Sequence, residues 1–133
     1  NQGRLQQARR LFENSHLNEA RKQLRLLLQE DPDNQQAKRL LSQVESALEA
    51  HLDKLLKAGD RMYREGEIEG ARALWQAAQR LDPDDPRAKE KIERAETVLK
   101  NLESLRKTEQ PKGPSAPAAG NSLEDQPVRP DSQ

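Results

Sequence analysis

Cysteine is absent from the chain, which excludes disulfides, thiolate chemistry and cysteine-based zinc sites. The redox compartment stays open, since a chain without cysteine suits either. Aromatic residues are almost as scarce, with Phe12, Tyr63 and Trp75 the only three. His16 and His51 are the only histidines, and neither has a second ligand at metal-binding spacing. No excess of one charge exists either: 23 basic and 23 acidic residues are interspersed along the chain. A nucleic-acid or membrane-surface footprint is therefore not predicted. No apolar run reaches the roughly 20 residues of a membrane span.

Motifs for chemistry are missing as well. Gly59, Gly66 and Gly70 do not make a phosphate loop. Asp31, Asp33, Asp82, Asp84 and Asp85 crowd around prolines without calcium-loop spacing. Ser15, Ser42 and Ser46 have no general base implied nearby. No cofactor, metal or catalytic residue is expected, and the chain reads as a binding or structural protein, not an enzyme.

What is abundant is Leu, Ala and charge, the last at 35% of residues. Leu and Ala favour helices, and β-branched strand formers are few, so an all-α fold is predicted. Pro111, Pro114, Pro117, Pro127 and Pro130 fall after residue 110 with few apolar neighbours. Residues 110–133 are expected to be a disordered Pro/Ala-rich tail, leaving 1–109 as the helical domain.

That domain repeats itself. A shift of 51 residues lays Ala8 over Gly59, Leu11 over Met62, Phe12 over Tyr63, Leu17 over Ile68, Ala20 over Ala71 and Leu24 over Trp75. Pro32 over Pro83, Ala37 over Ala88, Leu41 over Ile92 and Leu48 over Leu99 continue the match. Two copies follow, 1–51 and 52–102. In each, Asn14-Ser15 or Gly66 breaks a first helix, and Ala20 or Ala71 opens a second. That helix ends at Asp31-Pro32 or Asp82-Pro83, because a residue before proline avoids helical geometry. Asn34 and Asp85 then stand as N-caps of a third helix.

From Gln35 to about Arg64 no proline intervenes, and Ala37, Leu41, Val44, Leu48, Leu52, Leu55, Gly59 and Met62 recur at spacings of three and four. One continuous helix of ~45 Å is expected. The last helix, about Pro86 to Lys107, is expected to gain i,i+4 support from Glu90 with Arg94, Glu96 with Lys100 and Glu103 with Lys107.

These residues resemble the tetratricopeptide repeat. Its signature is similar to Leu55, Ala58, Gly59 and Met62, then Ala71, Trp75 and Pro83; a weaker copy runs through Arg4, Gln7, Ala8, Leu11, Ala20, Leu24 and Pro32. The family repeats about every 34 residues, so the 51-residue offset inserts one extra helix per copy. The resemblance implies an α-α hairpin superhelix, here two hairpins joined by a long helix and closed by a C-terminal helix. Small residues would let the helices approach, with Trp75 filling the gap; the alternative for Trp75 is ligand stacking.

The resemblance also implies that the inner face of the first helices binds a partner protein or peptide. Carried over, that face holds Leu5, Arg9, Phe12 and Glu13 in one copy and Leu56, Asp60, Tyr63 and Arg64 in the other. Leu5 and Leu56 stand where the family's chaperone-tail clamp has Lys, and Arg9 and Asp60 where it has Asn, so that ligand is not expected. The expected function is a non-enzymatic interaction scaffold, a monomer or homodimer; the alternative is a self-assembling component whose long helices pair between chains. Composition and the Asn1 start look like mature bacterial envelope or periplasmic proteins of this family, with a cytoplasmic setting as the alternative.

Overall fold

A computed structural model describes residues 2–109; the expected disorder of 110–133 lies outside the described residues. Five helices account for the described chain: α1 (Gln2–Glu13), α2 (Leu17–Glu30), α3 (Gln35–Arg64), α4 (Ile68–Leu81) and α5 (Pro86–Glu109). No strand occurs among the described residues, and the fold is all-α. By contacts the chain divides into one compact unit up to Glu96 and a second from Thr97. Within the second, the end of α5 carries exposed Leu102 and Leu105 and an ion pair from Arg106 to Glu103. That pair replaces the expected Glu103–Lys107 pair, since Arg106 reaches Glu103 from three residues away.

The repeat is written into the helix boundaries. The ends of α1 and α3, both ends of α2 and α4, and the starts of α3 and α5 all recur at the 51-residue offset. The turns recur with them. Ser15 and Gly66 adopt left-handed backbone, with φ of 65° and 86°, and each turn is closed by a long backbone bond, His16 N–H to Leu11 C=O (2.8 Å) and Glu67 N–H to Met62 C=O (2.9 Å). This is the helix-ending arrangement that favours glycine at the left-handed position. It reverses the chain in so few residues that α2 and α4 begin at Leu17 and Ile68, three residues before the expected openings at Ala20 and Ala71.

The proline stops hold where expected. Helix α2 ends at Glu30, one residue before Asp31-Pro32, and α4 ends before Asp82-Pro83. Asn34 caps α3 by accepting from the Ala37 N–H at 3.0 Å, and Asp85 accepts from the Arg87 N–H at 3.0 Å. With no breaker inside it, α3 runs unbroken for 30 residues. It packs chiefly against α2 and α4, and α1 packs chiefly against α2.

One core runs through the first unit: Leu5 and Ala8; Leu17, Ala20, Leu24 and Leu27; a stripe along α3; Ala71, Trp75 and Ala78; and Ala88, Ile92 and Ala95. On α3 the fully buried residues are Ala37, Leu40, Val44, Leu48, Leu52, Leu56 and Gly59. Leu40 and Leu56 take the places expected of Leu41 and Leu55, which are only half-buried. A helix covered by neighbours on more than one side needs a broader apolar stripe than a single seam.

The two copies are also tied by charge. Arg21 of α2 donates to the Asp82 carboxylate at the end of α4 at 2.8 Å, with side chains only 11% and 6% exposed. Asn18 also accepts from Arg21, at 2.6 Å, and Asp82 accepts the Asp84 N–H at 3.2 Å.

Candidate functional site

The equivalent inner positions of the two copies are built from different chemistry. In the second copy, Lys91 of α5 donates to the Asp60 carboxylate of α3 at 2.8 Å, and its ammonium lies 5.6 Å from the centre of the Trp75 ring. Trp75 itself is 1% exposed. Its indole N–H donates to the Leu56 carbonyl at 3.2 Å, and Tyr63 packs against it with ring centres 5.6 Å apart. A ring held on every side in this way is a core residue with no face left for a ligand. This inner position is closed by the chain's own ion pair.

In the first copy the same positions hold Arg9, Leu40 and Leu24 in place of Asp60, Lys91 and Trp75. Among the described residues no carboxylate pairs with Arg9. Instead Arg9 of α1 and Gln36, Arg39, Leu40 and Gln43 of α3 line an open cavity of about 150 Å³. Leu40 is buried, while Arg9, Gln36, Arg39 and Gln43 are exposed, so polar side chains surround an apolar residue. Arg9 and Arg39 make no ion pair among the described residues.

A second depression, about 290 Å³, lies where α2 and α4 approach the middle of α3, lined by Arg21, Glu45, Leu48, Glu49, Leu52, Asp82 and Asp85. Its carboxylates are already answered. Arg25 pairs with Glu45 at 3.2 Å, Arg21 with Asp82, and Arg87 with both Glu49 at 2.9 Å and Asp85 at 2.8 Å. The side-chain hydrogen bonds from Arg87 hold the Asp85 carboxyl below its ordinary pKa, against the opposing effect of burial. The bonds from Asp85 and Glu49 raise that of the Arg87 guanidinium. Among the described residues, no group of His, Asp or Glu is placed to hold a metal ion, and no helix is long and apolar enough to cross a membrane.

The sequence-predicted inner face divides accordingly. Leu5 and Leu56 are turned into the core, 2% and 5% exposed, because α1 and α3 bury them along with Ala8 and Gly59, and neither presents surface to a partner. Phe12 and Tyr63 are half-buried and packed against the core. Asp60 is taken by Lys91. Arg9, Glu13 and Arg64 remain exposed, and Arg9 lines the cavity between α1 and α3.

The α3 contribution, Gln36, Arg39, Leu40 and Gln43, was not foreseen. The signal was present in the repeat, where Arg9 becomes Asp60 and Leu40 becomes Lys91, a paired change of charge at aligned positions. No family model, curated protein or solved structure matches this chain.

Proposed function

We propose that the chain is a non-enzymatic protein–protein interaction scaffold, built of tetratricopeptide-like helix pairs, which holds a partner protein or peptide at its inner face. The arrangement is supported by the 51-residue recurrence of boundaries and turns, and by small residues where helices touch, Ala8 and Ala20 in one copy and Gly59 and Ala71 in the other. The observation that carries the function is the cleft between α1 and α3. There four polar side chains stand open over the buried Leu40, at a position the second copy closes internally.

A photo-crosslinking residue placed in turn at Gln43, inside the cleft, and at Lys22, exposed on α2, tests this reading in an extract of the source cells. A discrete adduct from position 43 and none from 22 is expected. Adducts from position 22 alone would refute it.

Self-assembly is the second reading, favoured by the exposure of Leu102 and Leu105, at 49% and 57%. Sedimentation over a range of concentrations separates the two, since an unchanging monomer rules assembly out.

A further inference from the structure

We infer that the α1–α3 cleft is a receptor for an acidic side chain, Asp or Glu, of the partner, held by Arg9 and Arg39. This rests on the scaffold reading above and specifies its ligand.

The molecule supplies its own template. At the inner position of the second copy a cation from the later helix meets a carboxylate from the earlier one, Lys91 on Asp60 at 2.8 Å. The first copy has exchanged the carboxylate for Arg9 and the cation for Leu40, and Arg39 stands beside Leu40 on α3. Two guanidinium groups therefore share one cavity without a counter-charge among the described residues. Glu13, the nearest carboxylate along α1, is one turn further on and forms no pair with Arg9.

Like charges lining one cavity repel, and a carboxylate between them relieves that repulsion while accepting the forked N–H donors of an arginine. Gln36 and Gln43 add amide donors in the same cavity. The opposite class of ligand is disfavoured on the same ground, since a basic segment would add positive charge to the cavity. Leu40 lies beneath these side chains as part of the core and closes the floor of the cleft.

The test is a selection from displayed random peptides on the full 133-residue chain. Enriched sequences are then synthesised with amidated ends and titrated against the wild type, Arg9→Ala, Arg39→Ala and Lys22→Ala. Enriched peptides that share an Asp or Glu are expected. Each arginine variant should weaken binding about tenfold, or ~1.4 kcal/mol, with Lys22→Ala unchanged and all four melting alike. Arg39→Glu should recover affinity for the peptide whose acid is changed to Lys. Enriched peptides with a basic or uncharged core, or acidic ones indifferent to both arginines, would overturn the acidic-ligand inference and leave the scaffold reading standing. If no peptide is enriched, both fall.

Discussion

Gly59 and Trp75 form a size-matched pair, and breaking the match is the sharpest test of the packing. A Cβ built on Gly59 lies 2.6 Å from Cδ1 and 2.9 Å from Cε2 of Trp75, closer than real side-chain carbons come. The indole cannot step aside, because it is buried and donates its N–H to the Leu56 carbonyl one turn before Gly59. Gly59→Ala must therefore push α4 from α3 or break that bond. Overpacking of this kind costs about 1–3 kcal/mol, and a buried donor left unpaired about 1–3 more, against a gain of roughly 1 kcal/mol from helix propensity. A net loss of about 2 kcal/mol is expected. The first copy holds the compensated alternative, Ala8 with Leu24. Trp75→Leu alone opens a cavity and should cost about 3 kcal/mol, yet in the Gly59→Ala background much of that cost disappears, since the added methyl occupies the vacated space. Denaturant titration followed by circular dichroism measures the cycle, and a favourable coupling of at least ~1.5 kcal/mol is expected. If Gly59→Ala is neutral or stabilising, or the two changes simply add, the size-matching argument is wrong.

Other outcomes follow from the same structure. Trp75→Ala removes the largest fully buried side chain and should cost ~3–5 kcal/mol, read as an early melting transition. A folded Trp75→Ala variant of undiminished stability would place the ring outside the core. Arg21→Ala strands the buried Asp82 carboxylate and should cost about 3 kcal/mol, whereas Arg21→Met with Asp82→Asn should cost much less, because the Arg21 Nε has no hydrogen-bond partner among the described residues and desolvation offsets much of the native pair; chemical denaturation of both variants decides. Ser15 pays for a left-handed φ of 65°, so Ser15→Gly should raise stability by about 1 kcal/mol, while Gly66→Ala should lower it, both seen as shifts in melting temperature. Asp85 has a folded pKa below its ordinary 3.8, so its contribution is complete above about pH 4 and lost as the pH falls through the lower folded value. Melting temperatures of the wild type should fall over that acid window, and the slope should be smaller in Asp85→Asn.

Much of the fold was legible because its determinants are local. Proline before a turn, an Asn or Asp cap and a three-and-four apolar spacing act within a few residues, so the continuous α3 and the stops before Asp31-Pro32 and Asp82-Pro83 could be read directly. The internal repeat added a check that a single copy would lack. The helix starts at Leu17 and Ile68 were misread because the turn's economy comes from a backbone conformation, left-handed at Ser15 and Gly66, that a serine does not advertise. The inner face was misread at Leu5 and Leu56 for a different reason. Helical periodicity says which residues share a face, while the number of neighbours covering that face decides how broad a stripe is buried.

The sequence by itself determined an all-α chain, its twofold repeat and the positions of its turns, since each follows from propensity, punctuation or a match visible at aligned positions. Tertiary structure alone decided which charges are satisfied. Lys91 and Asp60 are 31 residues apart and Arg21 and Asp82 are 61 apart, and nothing in local sequence assigns one to the other. Only when α1 and α3 are set side by side does it emerge that Arg9 and Arg39 share a cavity with no paired carboxylate among the described residues, because a charge is free or paired according to what folds against it.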